Sequence, residues 1–260
     1  MISVMMHFIG KTDIGSKRQS NQDTFLCTQL CDNAELAVVC DGMGGCNGGS
    51  VASETAATVF TNYIRLNCVP HMDENNRLDT ADLLVPELLR AAGAAANEAV
   101  FGKSRSDPEL EGMGTTLVAA MQVDETVYIA NIGDSRLYLI TDEDMVQITH
   151  DHSFVQYLVD IGELTPEEAA VNPNRNVITR AVGSEERTEP DIYLLDLREK
   201  GPCRLLLCTD GLTNYIDTDG IYEIMRSRIP SYEKAETLIR RANEGGGGDN
   251  ITVVIGDTDQ

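Results

Sequence analysis

Residues 115–148, TTLVAAMQVDETVYIANIGDSRLYLITDEDMVQI, decide the fold. Runs rich in Val, Ile, Leu and Tyr at about 115–122, 126–130, 135–140 and 145–148 are parted by hairpin-sized gaps of Asp, Glu, Gly and Thr. Such spacing reads as antiparallel strands and not as alternating βαβ units. Working outward, similar runs lie near 3–9, 24–29, 35–40, 176–180, 191–196, 203–208 and 250–256. Helical spacing of apolar and small residues covers about 49–66 and 81–101, the second starting late or kinking at Pro86. Shorter helices are expected at 152–160, 165–170, 218–228 and 231–242, and surface excursions at 67–79 and 162–175. The order suggests one layered α+β domain over residues 1–260, without linker or repeat.

Four of the strand-like runs end on an aspartate beside a turn-prone residue: Asp41-Gly42, Asp134-Ser135, Asp210-Gly211 and Asp249-Asn250. Carboxylates gathered at strand ends repel one another and resist ionising, and a shared hard cation is the usual remedy. The glycine-rich turn at 41–49 follows a strand and opens a helix, but Asn47 spoils the dinucleotide pattern and no GK[ST] follows. Oxygen donors without a neighbouring His or Cys select Mg²⁺ or Mn²⁺ over zinc. Arg18, in RQSNQD, is the one cation among these signals, and a guanidinium forks well onto phosphate. His150-Asp151-His152 alternates across a strand and reads as local hydrogen bonding or a hinge, not a ligand set.

Composition narrows the partners. A formal charge of −22 argues against nucleic acid and against anionic membrane surfaces. The N-terminal MISVMMHFIGK lacks a basic flank and reads as a strand, and no stretch approaches a membrane span. Seven cysteines without a CxxC pair read as buried free thiols in a reducing cytoplasm.

The ordered blocks RQSNQD (18–23), VCDGMGG (39–45), MGTTLV (113–118), NIGDSRLY (131–138), THDHS (149–153), NVITRAVG (176–183), LLLCTDGLTNY (205–215) and GGGDNIT (246–252) resemble the metal-dependent PPM-type Ser/Thr protein phosphatases, the protein phosphatase 2C family, in its compact bacterial branch. The resemblance implies a four-layer α-β-β-α sandwich with two central, mostly antiparallel sheets and a flap at about 152–176. It implies two Mn²⁺ or Mg²⁺ ions, with Asp41 bridging both, the Gly42 carbonyl completing one, and Asp210 and Asp249 on the other. Arg18 would hold the substrate phosphate. Asp134 would join Asp210 at a weaker third metal, and Asn250 would orient the Asp249 turn. Catalytic roles fall to Arg18, Asp41 and Asp210.

Three departures stand out. Gln22 replaces a Glu found in some members, leaving Asp23 to act through a metal-bound water. Asn214 replaces an Asp, weakening the third site. Met43 replaces a His, so a metal-bound water would protonate the leaving group. The implied reaction is hydrolysis of phosphoserine or phosphothreonine by direct attack of a water bridging two metals, with no covalent phosphoenzyme. No CxxxxxR nucleophile signature is present. The implied setting is signalling in the cytoplasm, by a monomer that opposes a bacterial Ser/Thr kinase. A non-catalytic binding module and a two-metal nuclease are the rival readings; the complete aspartate set disfavours the first and the acidic surface the second.

Overall fold

The computed structural model describes residues 5–258 apart from 46, 47 and 199. Eleven strands form two sheets. One has the order β1 (His7–Asp13), β11 (Ile251–Asp257), β10 (Arg204–Cys208), β7 (Arg136–Ile140), β8 (Met145–Gln147). The other runs β2 (Asp23–Cys31), β3 (Ala34–Met43), β5 (Leu117–Val123), β6 (Thr126–Ile132), β9 (Asp191–Asp196), with β4 (Gly114–Thr115) pairing the end of β3. Every pairing between these strands is antiparallel.

Alternation along the strands builds the layers. In β3, Ala37 and Val39 face the β1–β11–β10–β7–β8 sheet, while Leu36, Val38 and Cys40 face α1 (Gly48–Cys68) and α2 (Val85–Ser106). In β11, Val254 faces the central layer, while Ile251, Val253 and Ile255 face the opposite helix layer. That layer contains α5 (Asp210–Thr213), α6 (Thr218–Arg226) and α7 (Ser231–Glu244). Continuous apolar runs in β3, β5 and β10 are therefore strands covered on both faces. The four-layer α-β-β-α order is the expected one.

Phe60 of α1 is fully buried against the β2–β3–β5–β6–β9 sheet. Phe60→Ala should lower stability by about 3–5 kcal/mol through the cavity it leaves, read as a lower urea midpoint at unchanged slope.

Two expectations change. The first strand spans His7–Asp13, not 3–9, because β1 is a sheet edge whose polar Lys11 and Asp13 continue the ladder with β11; residues 3 and 4 lie outside the described residues. The run 176–180 is no strand. Its contact is a lone bridge between Ser153 and Ile178, cut short because Ser153 caps α3 (Phe154–Asp160) and the chain turns helical there. The second long helix does start late, at Val85, with Pro86 in its first turn, where a missing N–H does no harm. α4 (Pro166–Ala170) forms within 162–175 on a capping box of Thr165 and Glu168. The cysteines at 31, 40, 68, 203 and 208 are buried and free, and Cys27 is half-buried; Cys46 and Asn47 lie outside the described residues.

Candidate metal centre

Each sheet brings one pair of aspartates to the same end of the sandwich. β2 and β3 pair so that Asp23 stands directly opposite Asp41. In the other sheet, β10 leads through Thr209 into Asp210 at the start of α5, while Asp249 and Asn250 lead into β11 beside it. Glycine permits the close approach of backbone that this requires. A Cβ on Gly42 would lie 2.0 Å from the Gly49 carbonyl oxygen and 2.6 Å from that of Gln22. A Cβ on Gly211 would lie 1.9 Å from the Asn250 carbonyl oxygen. These turns hold their glycines because backbone atoms, not movable side chains, occupy the space.

Threonines and an asparagine tie the two halves together. Asp23 Oδ2 accepts from Thr209 Oγ1 at 3.0 Å and from Thr252 Oγ1 at 2.7 Å. Asn250 Oδ1 accepts from the Gln22 amide at 2.8 Å, and its Nδ2 donates to the Ile14 and Ser20 carbonyls at 2.9 and 3.0 Å. Asn250 thus pins the 14–22 segment carrying Arg18, a wider duty than orienting one turn. The Asp41 amide donates to Thr116 Oγ1 at 2.9 Å, and Thr115 Oγ1 donates to the Asp41 carbonyl at 2.8 Å, so that strand end is fixed from both sides.

The electrostatics are those of crowded, dehydrated carboxyls. Burial, then Asp210 and Asp249, raises the Asp23 pKa to about 7 against the opposing effect of the two threonine hydroxyls. Burial and then Asp249 raise that of Asp210 to about 6. Asp41 is pushed well up by burial and by Asp23, Asp210, Asp134 and Asp249 in turn. Asp134, on the β6–β7 turn, is pushed up by burial and then by Asp210. Asp23 Oδ1 and Asp210 Oδ1 are buried without a hydrogen-bond partner. Buried oxygens with no donor, in a set composed of oxygen alone, fit hard divalent cations.

As the side chains stand, no three His, Cys, Asp or Glu among the described residues close on one point. Asp249 Oδ2 instead pairs with Arg18 at 2.8 Å, and Asp210 Oδ2 accepts from Asn214 Nδ2 at 2.9 Å. The structure therefore gathers Asp23, Asp41, Asp134, Asp210 and Asp249 at one sheet end without drawing them together. Arg18 is beside them, half-exposed, with its charge directed at Asp249.

Sequence reasoning missed Thr209, Thr252 and Arg175. Arg175, just beyond α4, places its Nε 3.3 Å from Asn214 Oδ1 and links the 162–175 excursion to the Asp210 turn. The 150–152 trio splits three ways, as expected of local bonding. His150 meets Asp160 at 2.8 Å, Asp151 chelates Arg136, and His152 Nδ1 accepts from the Gly133 amide at 3.0 Å.

The profile of the family described as protein phosphatase 2C matches residues 10–243. A serine/threonine phosphatase stp of Listeria monocytogenes is 38% identical over 254 residues, covering 98% of this chain and 96% of that protein. The protein phosphatase PhpP of Streptococcus pneumoniae is 39% identical over 244 residues, covering 94% of each. Among solved structures, Stp1 from Staphylococcus aureus superposes with a TM-score of 0.86 at 32% identity, covering 97% of this chain and 95% of that one. The PstP catalytic domain in complex with two manganese ions gives 0.78 at 35%, covering 97% and 98%. The chain belongs to the protein phosphatase 2C family and is a serine/threonine protein phosphatase.

Proposed function

We propose that the protein hydrolyses phosphoserine and phosphothreonine in proteins with two divalent ions, Mn²⁺ or Mg²⁺, held at the aspartate end of the sandwich. The observation that carries this reading is the pair of buried, partnerless oxygens, Asp23 Oδ1 and Asp210 Oδ1, in a cluster where Asp23, Asp41 and Asp210 resist ionising. It is supported by the two manganese ions in the PstP catalytic domain. Asp41, the Gly42 carbonyl, Asp210 and Asp249 would be the protein donors, with Asp23 behind them. Asp134 would serve a weak third ion, since the neutral Asn214 adds little. When bound, the ions supply Lewis acidity that lowers the pKa of the attacking water and offsets phosphate charge.

The chain's own groups do the rest. Arg18 would exchange Asp249 for the substrate phosphate, holding it by a guanidinium fork at the rim. Asn250 fixes the segment that bears Arg18. Met43 offers no proton to the leaving alkoxide. The single domain over 1–260, the flap at about 152–176, cytoplasmic action as a monomer and an opposing Ser/Thr kinase belong to the same proposal.

The test is hydrolysis of a phosphothreonine peptide with Mn²⁺, with EDTA, and with Mn²⁺ restored. Activity should vanish with chelation and return with metal. Turnover that survives EDTA would sink the two-metal reading. Arg18→Ala should raise KM about tenfold or more with a smaller effect on kcat, the signature of a phosphate grip lost at the rim.

A further inference from the structure

The turn that carries Asp134 is gripped by one imidazole. His152 is buried, only 7% exposed. Its backbone N–H donates to the Gly133 carbonyl at 2.9 Å, and its Nδ1 accepts from the Gly133 amide at 3.0 Å. One residue thus holds both backbone polar groups of Gly133. On the far side of the ring, Nε2 meets Asp191 Oδ2 at 3.0 Å. Sheet register explains why Asp191 is there: it opens β9 opposite Asn131, two residues before Gly133. Arg180 donates to the other oxygen, Asp191 Oδ1, at 2.7 Å and fixes that carboxylate.

These partners dictate the state of the ring. An amide N–H can only donate, so Nδ1 is unprotonated and the hydrogen sits on Nε2, directed at Asp191. Burial, only partly offset by Asp191, lowers the His152 pKa from its ordinary value, and the ring is neutral at pH 7. No other side chain puts an acceptor and a donor on opposite edges of one rigid ring.

The grip reaches the acidic centre in one step. A Cβ on Gly133 would lie 2.6 Å from Thr116 Cγ2, so the turn rests directly on Thr116. Thr116 Oγ1 bonds Ser135 Oγ at 2.7 Å and accepts from the Asp41 amide. In the other direction, the His152 carbonyl accepts from the Thr179 amide at 2.8 Å. The Phe154 amide donates to the Val177 carbonyl at 2.8 Å, closing the root of segment 155–176. His152 is shared by that root and by the Asp134 turn.

We propose that His152 is a positioning residue for the phosphatase reaction. As the Nε2–H tautomer it holds the Gly133–Ser135 turn, and through it Asp134 and Asp41, in register with the root of segment 155–176. The proposal rests on the metal centre being at Asp41 and Asp134.

Two amide variants separate the edges of the ring. His152→Asn keeps an oxygen where Nδ1 stood, and His152→Gln keeps a donor where Nε2 stood. On a phosphothreonine peptide with Mn²⁺, His152→Ala and His152→Gln should lower kcat about 10- to 100-fold with little change in KM, and His152→Asn should recover most of that loss. Urea midpoints are measured in parallel. A role in stability alone would make kcat follow the midpoint or leave the Asn and Gln variants alike, and either result overturns the proposal. A second measurement needs neither metal nor turnover. In EDTA at pH 7, nitrogen-15 spectra of the wild-type imidazole should show Nε2 protonated and Nδ1 bare. A proton on Nδ1 would overturn the role of His152 while leaving the two-metal reading, tested by chelation and turnover, untouched.

Discussion

Asp41→Ala and Asp210→Ala should each lower kcat/KM on a phosphothreonine peptide with Mn²⁺ by at least about 1,000-fold, equivalent to about 4 kcal/mol of lost transition-state stabilisation. The two residues come from different sheets, so neither substitutes for the other. Misfolding is separable from lost chemistry. Asp41 is a half-buried carboxyl pressed by four others, and its backbone is held by Thr115 and Thr116 whatever its side chain. Removing that carboxyl relieves repulsion, so Asp41→Ala in EDTA should melt no lower than the wild type in EDTA. An inactive variant that also melts well below the chelated wild type would point to a structural role instead. Near-normal turnover by either variant would remove the aspartate from the mechanism.

Chelated protein should lose stability as pH rises from about 4 to 7, against the usual trend for an acid-sensitive protein. Asp23 and Asp210 titrate near 3.8 when unfolded but at about 7 and about 6 when folded. Below pH 4 both states are protonated and no penalty exists. Through the window the folded state retains protons that the unfolded state releases, so each unit of pH removes about 1.4 kcal/mol per group. Above about pH 7 the loss from these two groups is complete, and Asp41 and Asp134, also pushed up, add to it in the same direction. Divalent ions reverse it, and a concentration 1,000 times Kd restores about 4 kcal/mol. Urea midpoints in EDTA, measured at pH 5, 6, 7 and 8, check the slope. Asp23→Asn should make it shallower, since Asp210 still titrates in the window. A wild-type midpoint that rises from pH 5 to 7, or an unchanged slope in the variant, would contradict the shifted carboxyls.

The layers and most of the acidic centre were legible in the sequence because both rest on local pattern. Apolar alternation marks strands, and an aspartate beside the end or the start of such a run is conspicuous, as with Asp41, Asp134, Asp210 and Asp249. Asp23 stood out only through the family resemblance and not through the local pattern of its run. Only the register that sets it opposite Asp41, with two hydroxyls from the other sheet, shows its position. Thr209 and Thr252 were invisible because threonine is at home in any strand. Arg175 and Asn214, 39 residues apart, meet through a loop path that no periodicity encodes. The 176–180 run failed for the converse reason: β-branched residues promise a strand, but a strand needs a neighbour, and Ser153 gives its chain to a helix.

The hydroxyls of Thr209 and Thr252 reach Asp23 from the opposite sheet, so the acidic centre is stitched across the apolar layer between the sheets. The central packing of Val39, Val118, Leu207 and Val254 is then more than filling. It acts as a ruler, setting how far one half of the centre stands from the other. A substitution deep in that layer that lets the sheets slip, far from any phosphate, would detune the centre as surely as the loss of a ligand.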